Sequence, residues 1–408
     1  MENKRLLNIF IIVFIDLLGF GLILPLLPFY ADQYGATPLV VGLLTAIYAA
    51  AQLIGAPILG RLSDRFGRRP ILLISIFGTF LGFLLFGVAE PLGEAIGASL
   101  SISINTLILV ILFASRALDG FTGGNISVAQ AYITDITNEE NRARGLGLVG
   151  AAFGLGFVFG PALGGFLSGY SFATPAFAAA CLSAINLLMV LFWLPESLSK
   201  EQRKDALAKE QPEINIKALW NALQKPRVGP LLSISFFYGL AFALFATIFS
   251  LFAKYRLDLD ARQTGYVLAY VGLLIALVQG VGVGVIANRF SERRIIFIST
   301  IILAIALAAW AFTPSLVYLL LVMLPLSVTS GVLNTLLRSE LTKAVHKEEV
   351  GGTLGLSASF ESLTRVIAPG FGGFLLGSVG TWAPGVTGAI IMIGVIVFTW
   401  VKIVQLPD

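Results

Sequence analysis

The sequence has 408 residues, 57% of them hydrophobic and 12% charged, with a formal net charge of +4. A soluble domain carries about a quarter of its residues as charges, so this composition excludes a soluble globular protein. Its apolar runs need lipid around them, and each crossing takes roughly 20 apolar residues; the modest positive charge gives no sign of a nucleic-acid partner.

The first run, LLNIFIIVFIDLLGFGLILPLLPFY (6–30), is too long for the apolar part of a signal peptide and lacks a small-residue cleavage site. It reads as the first membrane helix. Apolar windows predict further spans at 38–60, 70–89, 106–133, 145–168, 172–194, 230–253, 264–287, 294–312, 315–337, 352–377 and 383–401. One side of this layout collects Lys4, Arg5, the Arg61–Arg69 cluster, Arg142, Arg144, the 200–227 loop, Arg289, Arg293, Arg294, Arg338, Lys343, Lys347 and Lys402. The other side holds only Lys254, Arg256 and Arg262, while Arg116 and Arg365 fall within spans. Basic residues stay on the cytoplasmic side, which places both termini there. The polar stretch PESLSKEQRKDALAKEQPEINIKALWNALQKPR (195–227) separates the sixth span from the seventh. The expected domains are therefore a bundle at 1–194, a solvated cytoplasmic linker at 195–229 with a short amphipathic helix near 214–224, and a second bundle at 230–408.

Within the spans, ionisable residues stand out. Asp16 lies about ten residues into an otherwise apolar helix, where an acid is costly and usually lines a cavity with a partner. Desolvation favours a neutral carboxyl and a nearby cation a charged one, so such a site can exchange a proton for another ligand. Asp64, Arg65, Arg68 and Arg69 crowd into GRLSDRFGRRP (60–70), with glycines at 60 and 67. Arg116 and Asp119 share one helix face; Asp119 is either a local counter-ion or a second proton carrier. Glycines at 150, 154, 156, 160, 164 and 165 give the fifth span a smooth flank for a neighbouring helix. Pro161 in the same span frees a backbone carbonyl and bends the helix, so the stripe serves either as a hinge or simply as tight packing. Cys181, the one cysteine, admits no intramolecular disulfide and reads as a small buried hydrophobe. Glu361 and Arg365 stand four residues apart in the eleventh span, either as a self-compensated pair or as cavity-lining groups; lipid-facing positions rarely hold two charges, which favours the cavity. Tyr48, Gln52, Asn125, Gln130, Asn186, Tyr238, Gln279 and Asn334 are further candidates to line a substrate cavity, each with the alternative of a helix–helix hydrogen bond.

The two halves repeat one another. RARGLGLVGAAFGLGFVFGPALGGFL (142–167) aligns without a gap to VGGTLGLSASFESLTRVIAPGFGGFL (350–375), so Gly147, Pro161, Gly164, Gly165 and Phe166 fall on Gly355, Pro369, Gly372, Gly373 and Phe374. GRLSDRFGRR (60–69) likewise corresponds to GVIANRFSERR (284–294), with Asn288 in place of the acid. Two parallel halves, each of inverted three-helix units, describe a transporter with a midplane site.

GRLSDRFGRRP resembles the signature between helices 2 and 3 of the major facilitator superfamily. SRALDGFTGGNISVAQAYITDIT (115–137) resembles its helix-4 motif, with Arg116 at the arginine position, and GAAFGLGFVFGPALGG (150–165) resembles the helix-5 motif of its drug/proton antiporter branch. DLLGFGLILPLLP (16–28), AIYAAAQLIGAP (46–57) and LPES (194–197) are similar to the tetracycline/proton antiporter subgroup, densest in the first half. The resemblance implies an all-α membrane protein of the major facilitator fold, with 12 transmembrane helices in two pseudo-symmetric six-helix bundles. It implies that Asp64 contacts the start of helix 11 near 351–354 and that Arg68 pairs with Asp135, latching the cytoplasmic side; the alternative is a cluster that only fixes topology. It also implies Arg116 as the partner of Asp16, either in proton exchange or in a static ion pair. Gln52 and Asn125, inside family-like stretches, stand ahead of the other polar candidates. Two departures count against tetracycline as substrate: Gly82 replaces an acid that tetracycline exporters carry on helix 3, and the one histidine, His346, lies in a loop.

No GxxxxGK[ST] phosphate loop, no Cys/His metal cluster and no intramembrane Ser–His or Cys–His pair occurs. The expectation is thus a non-enzymatic secondary transporter of the plasma (inner) membrane, acting as a monomer without cofactor or metal. Its expected partners are an amphipathic small-molecule substrate, lipid and protons, and the proton gradient drives efflux by alternating access. A nutrient symporter or uniporter, a lipid flippase on the same fold, and a transport-dead receptor are the alternatives.

Overall fold

A backbone inside lipid must satisfy its own hydrogen bonds, and a continuous apolar helix does so within one segment. The computed structural model, described for residues 2–100, 102–199, 201, 203, 221–287, 289–346 and 349–404, accordingly consists of helices, with no strand among those residues. In chain order they are α1 (Glu2–Ile23), α2 (Leu27–Gln33), α3 (Pro38–Phe66), α4 (Arg68–Gly87), α5 (Ala89–Leu100), α6 (Ile104–Thr122), α7 (Asn125–Ile136), α8 (Glu139–Ser168) and α9 (Ala173–Trp193). The second half contains α10 (Val228–Leu257), α11 (Ala261–Leu277), α12 (Val283–Ala287), α13 (Glu292–Ala311), α14 (Leu316–Lys343), α15 (Val350–Ser378) and α16 (Ala383–Thr399). Among the described residues, eleven helical segments are long and apolar enough to cross a membrane. At 29 residues α15 has ample length for a hydrocarbon core of about 30 Å. Glu361, Arg365 and its serines and threonines make it less apolar than the eleven.

Several expected boundaries shift. The first span breaks at Leu24–Leu26, and Pro28 opens α2 at a position where a missing N–H costs nothing. The fourth span breaks at Gly123–Gly124 into α6 and α7. The stretch at 90–100, expected as a loop, forms α5 and packs on α6. A π-turn at Val278–Gly282 interrupts the eighth span, and α14 runs on to Lys343, six residues beyond its expected end. Arg61, Asp64 and Arg65 belong to α3 rather than to a connection; only Gly67 separates α3 from α4, with φ 108°, a left-handed conformation that suits glycine alone. Cys181 is exposed on α9, not buried, since a thiol facing lipid loses little. The amphipathic helix expected near 214–224 falls mostly outside the described residues, as do Asn288 and Lys347.

The chain divides into two compact units, one of Met1–Ala36, Ile47–Gln211 and Leu259–Tyr270, the other of Thr37–Ala46, Pro212–Asp258 and Val271–Asp408. Besides the long stretches, the segment 259–270 groups with the first unit and 37–46 with the second. In the first unit α1 packs along α8 and α9, and α4 against α9 and α6. Its core gathers Ile9, Ile12, Val13, Leu72, Ile76, Tyr132 and Val190. In the second unit α10 packs along α15 and α16, and α13 against α16 and α14, the same pairing in the second copy. There Trp310 lies against Phe245 and Phe252, with ring centroids 4.9 and 4.5 Å away.

Lipid is as apolar as leucine, so close van der Waals approach, not water exclusion, holds such helices together. Glycine supplies the approach. A Cβ at Gly160 would lie 2.6 Å from the Gly21 Cα, and one at Gly156 would lie 2.9 Å from the Leu17 Cβ, so α8 and α1 touch backbone to backbone. The Pro161 carbonyl faces Gly265, and a Cβ on Gly165 would stand 3.0 Å from the Arg262 carbonyl oxygen. The second unit repeats this joint: the Pro369 carbonyl faces Gly42, and Gly373 faces the Pro38 carbonyl.

Candidate functional site

In the first unit, α1 carries Asp16 into a small cavity lined by Ile12, Val13, Leu72, Ile76, Asn125, Ile126 and Ala129, with room for about one water molecule. Asn125, 5% exposed, stands beside the carboxyl. Asp16 is half-buried and makes no ion pair among the described residues, and its Oδ1 is shielded without a hydrogen-bond partner. The expected partner, Arg116, turns elsewhere. Its Nη1 lies 3.1 Å from Asp119 Oδ2, and both residues are 3% exposed. The physical reason is spacing: one helical turn brings Asp119 to the guanidinium without any tertiary movement. Three aromatic faces complete the surroundings of the cation, Tyr48, Phe83 and Phe86, at 6.0, 5.6 and 5.2 Å from the guanidinium carbon to ring centroid. Such contacts stabilise a desolvated cation by about 0.5–2 kcal/mol each.

Gly82 explains how Asp119 fits. A Cβ at position 82 would lie 2.9 Å from the Asp119 Cβ, so the bare α4 backbone is what admits the acid of α6. Thr79, one turn earlier on α4, also stands beside that acid. Gln52 Nε2 donates to the Gly123 carbonyl at 2.9 Å and to Tyr48 Oη at 3.3 Å, tying α3 to the α6–α7 break. Asp16, Tyr48, Gln52, Arg116, Asp119 and Asn125 thus belong to one unit and centre on two neighbouring charge sites. Gln130 and Gln279 are exposed, and Asn334 is half-buried. Asn186 donates to the Ile12 carbonyl at 3.0 Å and Tyr238 to the Ser330 carbonyl at 2.9 Å, which makes these two helix–helix links rather than free ligand groups.

At the other end of α3, Arg68 is 7% exposed and serves as a hub. It donates from Nε to Asp135 Oδ2 at 2.9 Å, from Nη1 to Ser63 Oγ at 2.7 Å, and also from Nη1 to Asp64. Ser63 in turn donates to the Gly60 carbonyl at 2.7 Å. Arg65 lies over the Phe66 ring, and Arg69 reaches the Leu191 carbonyl at 2.5 Å. The least anticipated member is Glu196. Its carboxylate accepts the backbone N–H groups of Arg68 at 2.9 Å and Arg69 at 3.2 Å, and Arg203 lies 3.4 Å away. It caps the amino end of α4, where the helix dipole favours an anion. A side chain at position 67 would collide with it, the second reason for glycine there. The LPES stretch was the visible signal; its role needed the fold.

Of the α8 glycines, Gly156, Gly160 and Gly164 face α1, Gly165 with Pro161 faces the start of α11, Gly150 meets nothing within 4 Å, and Gly154 is half-buried. In the second unit, Glu361 Oε1 accepts from Arg365 Nη2 at 2.6 Å and its Oε2 from Arg338 Nη2 at 2.9 Å. Arg338 was expected in a loop. The longer α14 carries it to this carboxylate.

The chain matches the model of the Major Facilitator Superfamily over residues 9–282 and 231–407. It is 33% identical over 381 residues to the tetracycline resistance protein, class C, of Escherichia coli, spanning 90% of this chain and 88% of that one. It is 29% identical over 368 residues to multidrug resistance protein 2 of Bacillus subtilis (strain 168), spanning 89% and 86%. The crystal structure of a mutant of the nucleoside transporter NupG has the same fold, with a TM-score of 0.76 at 12% identity, covering 98% of this chain and all of that one.

Proposed function

Because the chain belongs to the Major Facilitator Superfamily and is an integral membrane transporter rather than an enzyme, we propose that it exports amphipathic small molecules in exchange for protons, by alternating access through twelve helices. The tetracycline- and multidrug-resistance relatives support the direction of transport. Gly82 and the loop position of His346 argue for a substrate other than tetracycline. The placement of the basic residues supports cytoplasmic termini, and the reading puts the protein in a plasma (inner) membrane.

One observation carries the coupling: Asp16 is a membrane-depth acid with no cation of its own among the described residues, because Asp119 already neutralises Arg116. Were Asp16 locked to Arg116, a proton would have to break an ion pair to bind. Left beside Asn125 and a water-sized space, it can take up and lose a proton without dismantling its surroundings. In this reading the proton and the substrate bind in alternation, with Asp119 within electrostatic reach as the second acid. Arg68, paired with Asp64 and Asp135, and Glu196 at the amino end of α4 tie α3, α4 and α7 to one another within the first unit.

Reconstitution of Asp16→Asn in proteoliposomes tests the proposal. Uphill export driven by an imposed proton gradient is expected to vanish while the variant purifies as a folded monomer. Undiminished uphill export would overturn the assignment.

A further inference from the structure

The second unit holds a charge arrangement that its fold does not require. At the register that aligns the two halves, Arg338, Glu361 and Arg365 correspond to Gln130, Phe153 and Phe157. The first unit makes the equivalent helix pairings with these three uncharged residues. The three charges therefore add something other than helix packing. Glu361 and Arg365 also occupy the middle turns of α15, where charge is costly unless it is paired or meets water or a ligand, and one carboxylate cannot neutralise two guanidinium groups.

The stoichiometry is one carboxylate to two guanidinium groups, a net charge of +1. Among the described residues, each arginine spends one Nη2 donor on Glu361, at 2.6 Å from Arg365 and 2.9 Å from Arg338. A guanidinium has five N–H donors. Their side chains are 54% and 56% exposed, so the remaining donors are open to an outside acceptor. The planar fork of an arginine matches a carboxylate bidentately, and a monoanion balances the net charge of +1. Phe360, next in sequence to Glu361, packs edge-on against Phe236 of α10 with centroids 5.7 Å apart, which sets half-buried aromatic surface beside the charges.

We propose that Arg338 and Arg365, held in place by Glu361, form a receiving site for an amphipathic monoanion, with the ligand's carboxylate on the two arginines and its apolar body against Phe236 and Phe360. The site makes the transporter selective for organic anions over cations of the same shape. Glu361 is a positioning residue that also sets the affinity, because it competes with the ligand for the same donors. The proposal rests on the export reading only for its direction; binding itself is independent of any gradient.

The test uses the full-length protein in nanodiscs without an ion gradient and two matched probes, 1-pyrenebutyrate and 1-pyrenebutylamine, with empty nanodiscs as the background. Wild type is expected to bind the butyrate about tenfold more tightly than the amine, the scale of a charge-assisted hydrogen bond. Arg338→Gln and Arg365→Gln should each weaken the butyrate by a similar factor, and Arg338→Lys should restore part of it. Glu361→Gln should act in the opposite direction and tighten butyrate binding. That opposed sign separates a ligand site from a merely structural triad, since damage to packing would weaken binding in all variants. A wild-type preference for the amine, equal affinities, or weaker butyrate binding in Glu361→Gln would each overturn the proposal. Intact butyrate selectivity in a protein that moves nothing uphill would instead count against the export reading alone.

Discussion

Among the described residues Arg116 pairs with one carboxylate and has three aromatic rings around it, so removal of Asp119 leaves a buried guanidinium without its counter-ion. Breaking a buried pair from one side costs about 3–5 kcal/mol, whereas replacing both partners with apolar groups is often neutral. Asp119→Asn is therefore expected to lower the melting temperature of the detergent-solubilised protein sharply. The double variant Arg116→Met/Asp119→Leu should recover most of that loss, although it removes both charges. At this scale the sequence was informative wherever a charge interrupted an apolar run, as with Asp16, Arg116, Glu361 and Arg365. Partner choice was not legible. Spacing showed that Arg116 and Asp119 share a face, but only the fold shows that Asp16 stands with Asn125 and a small cavity instead. Arg338 escaped because hydropathy alone cannot tell a long helix's last turns from the loop that follows them.

Helix α8 shows what the glycines do when taken together. Gly160 lies where any side chain would strike the α1 backbone, whereas Gly150 meets open space. Gly160→Val should separate α1 from α8, cost about 1–3 kcal/mol by overpacking and lower transport, while Gly150→Ala should match wild type; thermal melting and export assays on the two variants check the contrast. The repeat was readable as letters, and the structure supplies its mechanics: the carbonyl of Pro161 lies against Gly265 and that of Pro369 against Gly42, so each proline helix meets a bare backbone at the same place in its copy. The ends of the helices carry a further relation that an alignment by residue identity hides. Arg68 opens α4 and meets Asp135, and Glu292 opens α13 and meets Lys343 at 2.5 Å. The second copy keeps the ion pair with its signs exchanged. Helix breaks at Gly123–Gly124 and at Val278–Gly282 were invisible for a different reason, since they leave the apolar pattern uninterrupted.

For the molecule as a whole, the polar character of α15 matters for counting. With the eleven apolar segments alone, the two termini would lie on opposite sides; with α15 as the twelfth crossing, they lie on the same side. A carboxy-terminal green fluorescent protein fusion is expected to fluoresce, and an alkaline phosphatase fusion at the same point to be inactive. The reverse result would remove α15 from the membrane. The cap on α4 has a consequence for how such a chain is made. Glu196 leaves the ribosome 128 residues after the Arg68 amide it receives. At about 5–20 residues per second, the amino end of α4 waits on the order of ten seconds for its anion, through the insertion of every helix up to α9. The cap on α4 therefore closes only after α9 has been made, and nascent chains halted before residue 196 carry an open helix end.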